Sequence, residues 1–204
     1  MDDAVGLVQV YLRLNGYFTV TEYPVLEALG HGQHRVATDL DVLAVRFAGA
    51  GRPFSMGRAR ERAFTPDPRL GPPDEAVDMI IGEVKEGKAT LNEGAANADV
   101  LRGALLRFGC CDAEDIPDVV RDLLRRGETR THCGHRVRLV AFGSYAAPDA
   151  RHQTILLGEI LDFLQEYMRA NWALVRCAQF KDPAFNLLTV IEKARRLRAV
   201  RRAT

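Results

Sequence analysis

Apolar residues recur at helical spacing in AVGLVQVYLRLN, residues 4–15, with Val5, Val8 and Tyr11 or Leu12 on one side. Asp2 and Asp3 stand where an N-cap is needed, and Asn15-Gly16 closes the segment. The pattern then changes. YFTVTEYPVL, residues 17–26, is rich in β-branched and aromatic side chains and predicts a strand, with Pro24 at an edge position or bend. Gly30 to His34 reads as a loop. RVATDLDVLAVRF, residues 35–47, predicts a second strand, nearly all apolar from Val42 to Val45, as in a strand covered on both faces. Residues 48–77 are rich in Gly, Pro and Arg and predict a long loop. DMIIGEVK, residues 78–85, predicts a third strand. Amphipathic helices follow over 97–108 and about 116–126, ending at Gly109 and Gly127. RVRLVAFG, residues 136–143, alternates basic with apolar residues and predicts a fourth strand. A long amphipathic helix is expected from His152 to Trp172, reaching Arg176, and a last one from about Phe185 to Val200.

The order is α-β-β-β-α-(α)-β-α-α, without internal repeats. It predicts an α/β protein with a small mixed central sheet flanked by helices. The expected division is a core over residues 1–148, carrying the 48–77 loop, and a helical extension over 149–204 packed on it.

Composition narrows the class without naming a function. The chain has 204 residues, 47% hydrophobic and 27% charged, enough for an ordinary globular core without covalent staples. Net charge is +1, so the molecule as a whole has no strong field for a polyanion. Charge gathers at the end, in KARRLRAVRR at 193–202. That run reads either as a solvated helix end or as a phosphate-contacting arm. No apolar stretch approaches the roughly 20 residues of a membrane span. The acidic start, MDDAVG, is unlike a secretory signal, so the expected location is cytoplasmic. Cys110, Cys111, Cys133 and Cys177 fit no disulfide framework. Cys110-Cys111 with Cys133-Gly-His135 lacks the usual zinc-knuckle spacing and reads as buried or incidental thiols.

The chemistry concentrates in GEVKEGKATLN, residues 82–92. Side chains two apart on a strand share a face, so Glu83 and Lys85 lie together and Val84 points into the opposite layer. Asp39 and Asp41 obey the same rule on the preceding strand. If the two strands pair as a hairpin around the long loop, an aspartate approaches Glu83. Two close carboxylates repel and are costly to bury, and a divalent cation removes the conflict. Mg²⁺ takes hard oxygen ligands and often uses only one or two carboxylates plus substrate phosphate. The plain alternative for Glu83–Lys85 is a surface ion pair worth about 0–1 kcal/mol. For Asp41 it is a strand-start aspartate capping a turn.

Thr38-Asp39-Leu40-Asp41-Val42-Leu43 followed by Glu83-Val84-Lys85 resembles the PD-(D/E)xK nuclease superfamily, over about residues 1–145. The resemblance implies a restriction endonuclease-like αβββαβ core. It implies that Asp41 and Glu83 bind Mg²⁺ (or Mn²⁺), helped by the Val84 carbonyl, and that Lys85 positions the attacking water. Leu40 stands where the family has proline, and the stretch between the motif strands is long. Many members carry a glutamate on the first helix; here Gln9 or Asp3 stands there, and Glu27 is a substitute. Asp39 reads as structural or as a support for the ligands. Arg58, Arg60, Arg62 and Lys88 are candidate nucleic-acid contacts, with solubility as their plain role. His31 and His34 read as ordinary loop residues, and Phe163, Tyr167 and Trp172 as core.

The expected function is therefore metal-dependent hydrolysis of phosphodiester bonds, with DNA as the substrate. The alternatives are a weak or inactive module of the same fold that binds nucleic acid or mediates assembly, and an interaction domain dimerising through its C-terminal helices.

Overall fold

A computed structural model describes residues 2–50, 65–148, 150–176 and 182–203. In chain order the elements are α1 (Asp3–Leu14), β1 (Phe18–Gly30), β2 (Gln33–Arg46), β3 (Asp78–Val84), β4 (Lys88–Ala89), α2 (Ala98–Phe108), α3 (Ile116–Arg126), β5 (Glu128–Arg130), β6 (Arg136–Gly143), β7 (Tyr145–Ala146), β8 (Gln153–Leu156), α4 (Leu157–Ala170), α5 (Trp172–Val175) and α6 (Pro183–Ala203). The local signals work as chemistry predicts. Asp2 caps α1 by accepting the Ala4 N–H at 2.9 Å. Asn97 caps α2, and Gly109 and Gly127 close α2 and α3 in the left-handed conformation.

The protein is α/β, with a mixed central sheet between helices. The sheet order is β1-β2-β3-β6-β5, and β8 also pairs with β6. β1, β2 and β3 are antiparallel neighbours, β3 and β6 run parallel, and β5 returns antiparallel to β6. α1, α4 and the residues following it cover one face, against Val42, Ala44, Ile80, Val84, Val140 and Phe142. α2 and α3 cover the other, against Leu43, Met79, Ile81, Val137 and Leu139. β3 is central, and all seven of its residues are buried.

Four features depart from the expected pattern. The loop at Gly30–His34 is a two-residue turn, His31-Gly32, with positive φ at both positions as hairpins favour. β1 and β2 therefore continue past the end of β3 as a projecting ribbon, with Leu26, Leu29 and Val36 exposed. The second half of the 48–77 segment is packed, not loose: buried Asp67 accepts the Tyr11 hydroxyl at 2.9 Å, and its own N–H donates to Asn15 Oδ1 at 2.7 Å. The helix expected from His152 starts at Leu157. Residues 153–156 form β8 instead, parallel to β6, with Ile155 buried. The C-terminal part thus supplies a sheet strand as well as helices. Finally, Arg138, in the alternating stretch of β6, is buried. It lies 1% exposed, donating to Asp78 Oδ2 at 2.6 Å, Tyr17 Oη at 3.0 Å and the Leu70 carbonyl at 2.6 Å, and also to Gln153.

α6 buries Phe185 and Glu192 but exposes Leu187, Val190, Ile191 and Leu197. No described helix is long and apolar enough to cross a membrane.

Candidate active site

The β2–β3 ladder runs from Arg46↔Asp78 to Val42↔Gly82 and stops there. Continuing the register sets Asp41 opposite Glu83. Beyond this point the strands part. Asp41 Oδ2 accepts the Val84 N–H at 2.7 Å, which a β2 carbonyl would take in a continued ladder. A strand residue directs its N–H and C=O to the same neighbour, so the Val84 carbonyl aims into the same gap.

β2 is kinked here. Leu43 and Val45 face the α2–α3 layer, and so does Leu40, an odd step that regular alternation forbids. The partner strand bends with it: Glu22, between Thr21↔Val42 and Tyr23↔Leu40, has φ 52°. A non-glycine residue at that angle inside a strand is strained, and such strain gathers at functional sites.

Glu83 shares the face of Met79 and Ile81 and is fully buried. Its Oε1 receives Lys85 Nζ at 2.5 Å and Asn92 Nδ2 at 2.6 Å. Its Oε2 is buried without a hydrogen-bond partner among the described residues. Lys85 is 42% exposed, so the ammonium stands at the mouth of the site and the carboxylate at its floor. On the opposite face Gly82 makes room for the core: a Cβ there would lie 2.5 Å from Val42 Cγ1 and 3.0 Å from Phe142 Cε2.

Burial raises the Glu83 carboxyl above the ordinary carboxylate range, opposed by the Lys85 hydrogen bond and reinforced by the Asp41 charge. The Lys85 ammonium is raised in turn, chiefly by its hydrogen bond to Glu83. Native Glu83 thus keeps its proton to higher pH than in the unfolded chain. Its contribution to stability is fully present below the unfolded value and is lost as pH rises through the native one. A bound divalent cation favours the ionised form and opposes that loss. Thermal melts across about pH 4–8 should show it. Glu83→Gln flattens the decline, and Mg²⁺ restores stability at the high-pH end for the wild type only. An unchanged slope in Glu83→Gln would show that other groups set it.

The residues present fit a hard cation. Asp41 and Glu83 each spend one oxygen on the protein frame, leaving Asp41 Oδ1, the buried Glu83 Oε2 and the Val84 carbonyl as the oxygens a cation would take. Two carboxylate oxygens and a carbonyl suit Mg²⁺, which keeps waters and takes phosphate for the rest. Among the described residues no three His, Cys, Asp or Glu gather to hold a metal, so a dense protein cage is not formed. The Cys110, Cys111, Cys133 and His135 set does not assemble into a zinc site either.

The accessory candidates lie elsewhere. Gln9 is buried on α1, which packs on the Val84 face, across the sheet from the Glu83 carboxylate. Glu27 pairs with Arg35 at 2.7 Å on the projecting ribbon, five residues beyond the position opposite Asp41. Asp39 is exposed opposite Pro24. Lys88 is exposed on β4, after the motif strand. Arg58, Arg60 and Arg62 fall outside the described residues. His31 and His34 sit in the exposed ribbon end, and Phe163, Tyr167 and Trp172 pack against the core as expected. Asn92 was not foreseen. Its only sequence signal is an asparagine shortly before a helix, a common turn residue.

The chain matches no protein-family profile, no curated protein and no solved structure.

Proposed function

We propose that this protein is a metal-dependent nuclease of the PD-(D/E)xK kind, hydrolysing phosphodiester bonds with Mg²⁺ or Mn²⁺, with DNA as its substrate. One observation carries the reading. Where β2 and β3 separate, Asp41 and Glu83 are each tied to the frame by one oxygen, and Lys85 sits on Glu83 at the open side. The element order supports it: a helix, three antiparallel strands, helices, then a strand parallel to the third, as the restriction endonuclease-like core requires.

In this reading Asp41, Glu83 and the Val84 carbonyl hold the cation. When bound, it stabilises charge on the phosphoryl oxygens and lowers the pKa of a coordinated water. Glu83 keeps Lys85 protonated, so Lys85 serves as a fixed cation that orients the water and offsets charge on the phosphate, not as a proton acceptor. Asp41 gains a rigid position from the Val84 N–H. Water attacks phosphorus in line as the bond to the 3′-oxygen breaks, its proton passes through solvent to the departing 3′-oxygen, and a 5′-phosphate remains, as the resemblance implies.

The test uses pure protein with plasmid and branched DNA. Cleavage is expected with Mg²⁺ and not with EDTA, and Glu83→Gln should lose it. DNA binding that persists without any metal-dependent cleavage would favour the inactive binding module instead.

A further inference from the structure

The Glu83 carboxylate has two donors on the same oxygen, and they differ in kind. Lys85 reaches it from a half-exposed, flexible stem, whereas Asn92 is short and itself held. Asn92 Oδ1 accepts the Ala95 N–H at 2.5 Å, which turns its Nδ2 toward Glu83. Its carbonyl accepts the Ala96 N–H at 3.1 Å, and the Gly94 carbonyl accepts the Asn97 N–H at 3.0 Å. Asn97 then caps α2. The turn is seated on β2 as well: a Cβ on Gly94 would lie 2.5 Å from Thr38 Oγ1 and 2.8 Å from Thr38 Cβ. One short turn therefore joins β2 near Asp41, the Glu83 carboxylate and the start of α2.

We propose that Asn92 is the positioning residue of the metal site. By holding Glu83 Oε1 it fixes the carboxylate plane and leaves Oε2 as the single oxygen facing Asp41 and the cation. The role rests on the metal reading above. It is a role for a hydrogen-bond donor, separable from the turn that Asn92 also builds. Outer partners that orient a metal ligand are worth about 10–100-fold in metal affinity.

The experiment titrates the full chain with Mn²⁺ alone, following free Mn²⁺ by electron paramagnetic resonance. Asn92→Ser keeps an oxygen to accept the Ala95 N–H but is too short to reach Glu83. It should retain the circular dichroism spectrum and weaken Mn²⁺ binding about 10–100-fold. In cleavage it should raise the metal concentration for half-maximal rate more than it lowers the rate at saturating metal. Gly94→Ala pushes the turn off Thr38 while leaving the Asn92 side chain intact, and should shift Mn²⁺ affinity the same way. If the wild type binds Mn²⁺ in an Asp41-dependent manner and Asn92→Ser binds it equally well, the positioning role is overturned alone. If the wild type shows no Asp41-dependent binding, the metal reading and this role fall together.

Discussion

Asp41→Asn is expected to abolish metal-dependent cleavage while leaving the protein at least as stable as the wild type. The two effects have separate causes. An asparagine oxygen still accepts the Val84 N–H, so the separation of β2 from β3 survives. What disappears is the negative charge beside buried Glu83, which raises that carboxyl and costs the apo protein energy. Functional carboxylates commonly oppose stability in this way. In the proposed site the cation would lose one of two carboxylate ligands, and cleavage should drop at least about 100-fold, the scale of losing one electrostatic group at a reacting phosphate or carbonyl. Single-turnover cleavage beside thermal melts reads both. Cleavage at the wild-type rate sinks the metal assignment. Loss of fold together with cleavage means that Asp41 is a structural acceptor.

Asp78→Ala should be the most damaging single change to stability. β3 begins its buried run with one acid, Asp78, and carries another, Glu83, one residue before its end; the two have different partners. Asp78 faces Arg138, itself 1% exposed, in a network with Tyr17, Leu70 and Gln153. Removing Asp78 strands the guanidinium in the core, at a cost of about 3–5 kcal/mol. A domain is stable by only about 5–15 kcal/mol, so the loss is a large fraction. Arg138→Met should cost a comparable amount, because Asp78 and the Leu70 carbonyl lose their donor. The double variant should fall well short of the sum, since neither charge is then left alone. Urea unfolding of the three variants decides this, and strict additivity would mean that the pair is not coupled.

Much of the frame was legible because its signals are local. Asp2, Asn97, Gly109 and Gly127 mark helix ends through bonds to residues a few positions away, and they do so in the structure. The β2 and β3 runs were legible because unbroken apolar stretches mark strands covered on both faces. Their antiparallel pairing brings Asp41 to Glu83, as the spacing suggested. Residues 152–156 were misread because the helical period of α4 continues smoothly into them. Their strand form comes from pairing with β6, a partner about a dozen residues back in the chain. The alternation of basic and apolar residues in β6 carries no sign that Arg138 is buried, because alternation assigns faces only when one face meets water. Both faces of β6 are covered at Arg138, so its guanidinium pairs with the buried acid Asp78. Gln9 and Glu27 were candidates through the resemblance and their place in the element order, which does not fix direction; the layers place one across the sheet and the other out on the ribbon.

The sequence by itself determined the four longest strands, the main helices, the α/β class and the pair of carboxylates, since each depends on period, caps and residue type within a short window. Only the tertiary structure decided that β2 kinks at Asp41, that Glu83 keeps one oxygen without a partner among the described residues, and that Asn92 holds the other. Those are facts of direction and of partners brought together by folding. A hydrogen bond between residues 83 and 92 depends on where a turn seats against β2, and no spacing along the chain encodes that.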